Sequence, residues 1–338
     1  MKATPDASLQ GLNSFGLSAQ ARLLAEIEHE EDILALPAFD PAFDFMMGGG
    51  SNVIFVSDVP GTLYLNRITG KGIVDDNGST VRIEIGAGEN WHQLVRWSLD
   101  QGLYGLENLA LIPGSVGAAP IQNIGAYGVE LSSVLESVTA WDWYSASWVS
   151  LSREDCRLAY RDSLFRSAEP DRYLITSVEF KLSRQFKPQL DYAELLEELG
   201  HPPDKASARD VFDAVVRLRR RKLPDPSLTG NAGSFFKNPV VDEETARELQ
   251  ERHPGIAHWP SPDGRTKVSA AWMIESCGLK GVREGGAGVS EQHALVIVNH
   301  GGASGHDVST LAVEIQKAVY EAFGIRLEPE PRLVEFDV

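Results

Sequence analysis

The first candidate for chemistry in this chain is a glycine-rich turn, Gly48-Gly49-Gly50-Ser51-Asn52. Consecutive glycines let several backbone N–H groups point toward one anion, and such a nest binds phosphate without a lysine. The spacing differs from the dinucleotide-binding GxGxxG turn and from the Walker loop, because both lead into a helix, whereas an apolar run, 53–56, follows here. A tight hairpin explains the same glycines, so a phosphate site needs a second segment in support.

That second segment is 106–128, which combines glycines, amides and aliphatic residues over a length that is uncommon for a loop without function. Small residues permit a flat ring to lie against the backbone, and the amides offer polar edges. A buried glycine-rich loop is the alternative. The two segments together predict a cofactor site formed by Gly48, Gly49, Gly50, Ser51, Asn52, Pro113, Gly114, Ser115, Gly117, Ala118, Ile121, Gln122, Asn123 and Gly125.

The elements that must position these segments follow from hydrophobic periodicity. Short apolar runs predict strands at 21–27, 43–47, 53–56 and 62–65, with a short helix at 30–36 that would make one βαβ unit. Further strands are expected at 80–87, 134–143 and 173–182, and helices at 91–101, at 208–223 and at the long apolar repeat that stops at Gly324. Cations 219–222 end the second of these helices, where the helix dipole favours them, and we expect most of them to face solvent.

Composition excludes several classes of protein. The 48 acidic residues exceed the 31 basic ones by 17, which disfavours nucleic acid as a partner. No apolar run is long enough to span a bilayer and no signal peptide is evident, so we expect no membrane insertion and a cytoplasmic location. Cys156 and Cys277 fit no metal-ligand spacing, and neither do the histidines 92, 293, 300 and 306, so no metal is predicted and these histidines receive no role.

Three further motifs make the pattern specific: Tyr160-Arg161-Asp162-Ser163, the run 230–239 that contains Gly233-Ser234-Phe235-Phe236, and Leu327-Glu328-Pro329-Glu330. With the two glycine-rich segments, in this order, they resemble the UDP-N-acetylenolpyruvoylglucosamine reductase family over nearly the whole chain. The resemblance implies an α+β protein with a vanillyl-alcohol-oxidase-type FAD-binding fold followed by a smaller α+β substrate-binding domain. It also implies FAD, NADPH as co-substrate, and a UDP-sugar enol ether as substrate.

A helical stretch ends at Pro224 and Pro226, and an exposed proline-rich stretch of this kind predicts a domain boundary. We expect an FAD-binding domain at 1–222, with subdomains at about 1–68 and 69–222, and a substrate-binding domain at 223–331. The tail, 332–338, is expected to pack back on the first subdomain. We expect a monomer.

The resemblance also implies roles for single residues. Arg161 would face the substrate carboxylate, Ser234 would protonate the carbanionic carbon, and Glu330 would assist in stabilising the enolate. Tyr192 would close over the UDP-sugar. Independently of the resemblance, Lys237 and Asn238 follow the serine, where a cation in an acidic protein could meet the diphosphate. Neither glycine-rich segment contains His or Cys for a covalent flavin link, so FAD is expected to bind non-covalently. Pro331 departs from the aliphatic residue expected there, which leaves the direction of Glu330 open.

Two other functions stay open on the residues alone. A flavin oxidase or dehydrogenase acting on a small hydroxy acid would use the same glycine-rich segments, but it would not need the run that contains Ser234. A nucleotide-sugar-binding sensor protein that had kept the fold would not need Arg161, Ser234 or Glu330, and all three are present.

Overall fold

The computed structural model describes residues 1–261 and 263–336. The strands are β1 Lys2–Ser8, β2 Gln20–Ile27, β3 Phe45–Met47, β4 Val53–Phe55, β5 Val59–Asn66, β6 Lys71–Asp76, β7 Thr80–Gly86, β8 Gly125–Ala126, β9 Val129–Glu130, β10 Leu135–Asp142, β11 Ser147–Ser152, β12 Tyr173–Ser183, β13 Asn231–Ser234, β14 Val240–Val241, β15 His258–Pro260, β16 Thr266–Val268, β17 Arg283–Glu284, β18 Ala287–Val289, β19 Val296–Asn299 and β20 Arg332–Val334. The α-helices are α1 Glu30–Ile33, α2 Trp91–Asp100, α3 Ala193–Leu199, α4 Ala208–Lys222, α5 Glu243–Arg252, α6 Ala270–Ser276 and α7 Gly305–Phe323.

The first sheet has the order β1-β2-β5-β3, and β2 and β3 both run parallel to β5. The predicted βαβ unit is therefore present as β2-α1-β3, with β5 inserted between its two strands. Apolar side chains such as Phe45 and Leu63 are fully or nearly fully buried on this sheet. The glycine-rich turn leaves β3 directly, so its position is set by a strand that is buried and hydrogen-bonded.

The second sheet is antiparallel, with the order β11-β10-β12-β7-β6. Its core includes Val81, Ile83 and Ile85, which alternate along β7 as the sequence predicts. Helix α2 packs on this core through Trp91 and Leu94, and the Asn90 side chain caps it by accepting from the Gln93 N–H. The segment 103–133 lies in the same core and is built from 3₁₀ turns at 107–109, 116–118, 120–122 and 131–133.

A third sheet has the order β13-β19-β18-β17 and shares a core with α6 and α7. The strands of a small sheet, β14-β16-β15, fall between β13 and β17 in the sequence. Helix α7 begins with a capping box in which Ser304 and Asp307 exchange hydrogen bonds, and it ends at Gly324 in the left-handed conformation, as predicted. Strand β20 pairs in parallel with β4 through 332–334 and 53–55. The last two residues of the tail, 337–338, lie outside the described residues, and the domain boundaries stay a prediction.

Some elements differ from expectation. Helix α1 ends at Ile33 rather than at 36, because the N–H groups of residues 34–36 bond to carbonyls three residues back and the chain continues as tighter turns. Strands β1, β6 and β11 were not predicted, and every residue of β6 is exposed, so it carries no alternation of buried and exposed positions. Helices α3, α5 and α6 are short and were also not predicted.

An ion pair between buried Asp142 and half-buried Arg172 joins the end of β10 to the residue before β12. Asp142 is 2% exposed and accepts from Arg172 Nε at 3.0 Å and Nη2 at 2.7 Å. These bonds, with the Tyr144 N–H, lower the pKa of Asp142 from 3.8 to about 2. The pair fixes the start of β12 and the preceding segment, 169–171, which reaches the cavity described below.

Asp142→Asn should reduce stability at neutral pH by roughly 1–3 kcal/mol, because a charge-assisted bidentate pair is lost. Since the folded pKa of Asp142 lies below its ordinary value, its contribution is complete above pH 3.8 and is lost as the pH falls toward about 2. Urea unfolding of the variant should therefore depend less on pH in that interval than unfolding of the wild type. Equal pH dependence in the two proteins would assign the acid sensitivity to other carboxyl groups.

Candidate active site

The sheets meet around a cavity of about 700 Å³. Most of the predicted cofactor residues line it, namely Gly48, Gly49, Gly50, Ser51, Asn52, Pro113, Ser115, Ala118, Ile121, Gln122 and Gly125. The three predicted catalytic residues, Arg161, Ser234 and Glu330, line the same cavity, although 169 residues of sequence separate the first from the last. The structure therefore brings the two glycine-rich segments and the three other motifs to one place.

The two glycine-rich segments approach each other backbone to backbone. A Cβ atom on Gly49 would lie 2.7 Å from the Cα of Gly114, and one on Gly48 would collide with the Ser115 side chain. Gly50 has a φ of +63°, and a Cβ there would fall on the carbonyl oxygen of Leu12. These contacts leave no space for any side chain, so the glycines are required by close packing as well as by backbone geometry.

Polar side chains connect the turn to the rest of the cavity. The Asn52 side-chain amide donates to Gln122 Oε1 at 2.9 Å and to the Glu330 carbonyl at 3.2 Å. Ser115 Oγ is buried and has no hydrogen-bond partner among residues 1–261 and 263–336. A buried hydroxyl without a partner is costly unless a ligand satisfies it, so this atom marks a position for a polar ligand atom.

Arg161 is held in a strained and largely buried conformation. Its φ is +52°, which is uncommon for a residue with a long side chain. Its Nη2 donates to the Gly125 carbonyl at 2.8 Å, and its Nε lies 3.1 Å from Glu330 Oε1. Burial lowers the pKa of Arg161, but the charge of Glu330 and other neighbours outweighs burial, so the pKa lies above its ordinary value and the guanidinium stays charged.

Glu330 is fixed through its backbone. Its N–H donates to the Phe235 carbonyl at 2.7 Å, and its carbonyl accepts from Arg166 at 2.9 Å. The Glu330 carboxylate faces Arg161, so Pro331 does not turn this side chain away from the predicted site. Its side chain is 13% exposed, so the carboxylate is available only toward the cavity and its ion-pair partner.

Residues 328–334, called here the C-terminal segment, cross between three parts of the protein. Phe236 and Pro329 form an isolated bridge, and the Arg332 N–H donates to the Asn52 carbonyl at 3.0 Å. The Arg332 guanidinium pairs with both carboxylate oxygens of Asp171, at 2.5 and 2.6 Å. This segment therefore joins the glycine-rich turn, the segment 169–171 and the strand that carries Ser234.

Ser234 is the last residue of β13, and the pairing of β13 with β19 is irregular just before it. Phe235 and Phe236 follow and are 0% and 1% exposed. Gly233 has a φ of +74°, which turns the chain immediately before the serine. The hydroxyl is thus carried at a strand end with a hydrophobic wall behind it.

Five predicted site residues do not line the cavity. Gly117 packs against Ala87, Gly114 packs against Ser51, and Asn123 donates within the fold to Glu130 and to the Ala159 carbonyl. Lys237 pairs with Glu328 at 2.9 Å, and Tyr192 packs edge to face on Tyr127 with ring centroids 5.2 Å apart. Gly114, Gly117 and Asn123 therefore shape the loop, while the roles of Lys237 and Tyr192 stay predictions.

Three arginines that received no role line the cavity: Arg166, Arg219 and Arg332. Arg219 follows Val215 by four residues on α4, so the helical period that buries Val215 also turns Arg219 inward, and this signal could have identified it. Burial lowers the pKa of Arg219. Arg166 lies on a π-helical turn, Leu164–Ala168, and donates to Gln122 Oε1 at 3.0 Å. Its sequence neighbourhood carries no comparable signal.

Comparison with known proteins decides the family. A family model described as the UDP-N-acetylenolpyruvoylglucosamine reductase C-terminal domain matches residues 225–334, and an FAD-binding domain model matches residues 25–151. A UDP-N-acetylenolpyruvoylglucosamine reductase of Burkholderia multivorans is 47% identical over 97% of this chain and 95% of its own length. The chain belongs to the UDP-N-acetylenolpyruvoylglucosamine reductase family.

Other members of this reductase family agree. The reductase of Bordetella pertussis is 46% identical over 96% of this chain and 93% of its own. The solved reductase structure from Thermus caldophilus is 25% identical, covers 99% of this chain and 98% of its own, and superposes with a TM-score of 0.69. The predicted fold class is confirmed: an α+β protein with a vanillyl-alcohol-oxidase-type FAD-binding fold.

The cavity fits the FAD that the FAD-binding model implies. Among the described residues, the arginines that line it are Arg161, Arg166, Arg219 and Arg332, against Glu169, Asp171 and Glu330, so cations are in excess in a chain of net charge -17. The unpartnered Ser115 hydroxyl and the glycine-rich turn lie at its wall. A dinucleotide needs anion-binding backbone and hydrogen-bond donors of this kind.

Gly49→Ala should lower the FAD content of the purified protein severely, because its methyl group would push the two glycine-rich segments apart and overpacking costs roughly 1–3 kcal/mol. The bound flavin is measured by its visible absorbance against the protein absorbance. Gly11→Ala is the matched control, since nothing lies within 4 Å of a Cβ at that position. Full FAD content in the Gly49 variant would disprove the requirement for backbone contact.

Proposed function

We propose that the protein uses NADPH and FAD to reduce UDP-N-acetylglucosamine enolpyruvate to UDP-N-acetylmuramate, a step of peptidoglycan synthesis. The observation that carries this function is the match to reductases over 97% of the chain, with Arg161, Ser234 and Glu330 lining one cavity. Bound at this cavity and reduced by NADPH, FAD would supply hydride chemistry for the terminal vinyl carbon of the substrate. Negative charge then develops on the neighbouring carbon and on its carboxylate.

Arg161 is proposed to bind that carboxylate. Its guanidinium remains charged in a largely buried position, where the interaction with a developing anion is stronger than in water. The contacts with the Gly125 carbonyl and Glu330 orient the guanidinium before substrate binds. Glu330 then assists enolate stabilisation through Arg161, because it holds the cation in place from the side of the C-terminal segment.

Ser234 is proposed to donate the proton to the carbon next to the reduced one. A hydroxyl is a weak acid, so the step requires a strongly basic enolate and a site from which water is excluded. Phe235 and Phe236 supply a dry wall directly after the serine. The irregular pairing of β13 supports this role, because it lets the strand end present its side chain to the cavity.

The UDP moiety is proposed to meet Asn238 and Lys237 and to be covered by Tyr192. Asn238 lines the cavity, which supports its part of the proposal. Lys237 would have to leave Glu328 to reach the diphosphate, and Tyr192 would have to leave Tyr127.

None of the helices in 1–261 and 263–336 is both long enough and apolar enough to cross a membrane. We propose that the enzyme is cytoplasmic, where NADPH is available, and that it acts as a monomer, since folding of the single chain already brings Arg161, Ser234 and Glu330 to one cavity. The substrate is a small nucleotide sugar. A flavin oxidase of a small hydroxy acid and a nucleotide-sugar sensor are the alternatives that the following assays exclude.

The purified protein should be yellow, and acid precipitation should release all of its FAD, because no cysteine or histidine lies in the two glycine-rich segments. NADPH oxidation should require the UDP-sugar enol ether. A colourless protein that FAD cannot reconstitute would disprove the reductase function, and flavin that stays with the precipitate would disprove non-covalent binding. Turnover of a hydroxy acid without the enol ether would favour the oxidase.

Ser234→Ala should leave reduction of the flavin by NADPH unchanged but slow its reoxidation by the enol ether by about 10²- to 10⁴-fold, the usual loss when a general acid is removed. Rapid mixing of pre-reduced enzyme with substrate follows the return of oxidised-flavin absorbance. Ser234→Cys is the matched variant and should restore part of the rate. Reoxidation of the alanine variant within about threefold of the wild type would assign the proton donor to another group.

A further inference from the structure

Leu111 adopts a backbone conformation that its side chain disfavours. Its φ is +58°, in the left-handed region, where a residue with a bulky side chain is an outlier. It immediately precedes Ile112 and Pro113, which line the cavity. Such a conformation persists only where surrounding contacts impose it. The position of the cavity wall therefore depends on whatever holds Leu111.

Two side chains hold this residue from opposite sides. His92 Nδ1 accepts from the Leu111 N–H at 3.0 Å, and Arg219 Nε donates to the Leu111 carbonyl at 3.1 Å. The N–H and the carbonyl belong to the peptide planes on either side of one Cα atom. Fixing both planes fixes φ and ψ together. Arg219 also lines the cavity, so its bond to Leu111 connects the loop to a cation at the cavity wall.

His92 is itself held rigidly and is kept neutral. Its ring stacks on Phe212 of α4, with centroids 5.4 Å apart and an interplanar angle of 10°. Burial lowers the pKa of His92, and the positive charges of Arg96, Arg220 and Arg219 lower it further. A neutral ring with its hydrogen on Nε2 leaves Nδ1 free to accept, which is the form that the bond from Leu111 requires.

The bond between His92 and Leu111 lies between two other hydrogen bonds that join the start of α2 to the same loop. The Trp91 indole donates to the Leu109 carbonyl at 2.9 Å, and the Trp91 N–H donates to the Gly114 carbonyl at 3.1 Å. The start of α2 is thus bonded to the loop on both sides of Leu111. Those two bonds fix the ends of the segment 109–114, while the bond to His92 is the one made at the strained residue itself.

We propose that His92 is a positioning residue for the cofactor site: by accepting from the Leu111 N–H, it holds the cavity wall at Ile112–Pro113 and the Arg219 side chain in their binding positions. This inference rests on the proposed function, since it assumes that FAD occupies the cavity. His92 touches neither the reacting atoms nor, by its contacts, the cavity, so it acts through Leu111.

Two substitutions distinguish the contribution of the His92 hydrogen-bond acceptor from that of its aromatic ring. His92→Phe keeps an aromatic ring against Phe212 but removes the acceptor, whereas His92→Asn places an amide oxygen at the same number of bonds from Cβ as Nδ1 and removes the ring. The dissociation constant of FAD is measured by flavin fluorescence on the full chain, and global unfolding by circular dichroism. We expect His92→Phe to weaken FAD binding roughly tenfold and His92→Asn to recover most of that loss.

The two variants rank oppositely if His92 serves only for packing, because the phenylalanine would then be the better substitute. That ranking, or FAD affinity in His92→Phe equal to wild type, overturns the proposal. Amide hydrogen exchange of the wild-type holoenzyme gives a second measurement that needs no variant to fold: the Leu111 amide must be protected, and rapid exchange also overturns it. A wild-type protein that binds no FAD would instead disprove the proposed function.

Discussion

Backbone-to-backbone contact between the glycine-rich turn 48–50 and the segment 114–115 is the constraint on which the site depends. It brings a loop from the first sheet against a loop from the second, with main chain against main chain at Gly49 and Gly114. At this point the cavity wall is main chain, whose geometry cannot be adjusted by rotating side chains. This arrangement gives a nucleotide fixed N–H donors, and it requires that both loops be held from behind by buried elements such as β3 and α2.

Strain and buried charge are concentrated around this contact. Arg161 and Leu111 both have positive φ values, and each is held by hydrogen bonds to residues far away in sequence. A buried guanidinium is tolerable because Glu330 neutralises it, and Glu330 is in turn fixed by backbone bonds on both sides. Each unfavourable feature is thus offset by a specific partner.

Much of this architecture could be predicted where the physics is local. The apolar period and the caps of α2 and α7, and the alternation along β7, are set by residues close in sequence. Strand β6 could not be predicted from the sequence, because all of its residues are exposed and only its pairing with β7 defines it as a strand. The cationic end of α4 was expected mostly in solvent, which describes the exposed Arg220 and Arg221 but not Arg219. No role could be assigned to His92, because its partner Leu111 is recognisable only from the three-dimensional backbone.

The C-terminal segment has a consequence for how the protein is made. Ribosomes deliver a chain from its amino end, so the glycine-rich loops, Arg161 and Ser234 all emerge before residues 328–334 exist. Until then Arg161 lacks its carboxylate partner, Asn52 lacks one of its acceptors, and β4 lacks the strand that pairs with it. The contacts that close the site are thereby complete only after synthesis has passed residue 334, and a chain terminated before this segment would lack them.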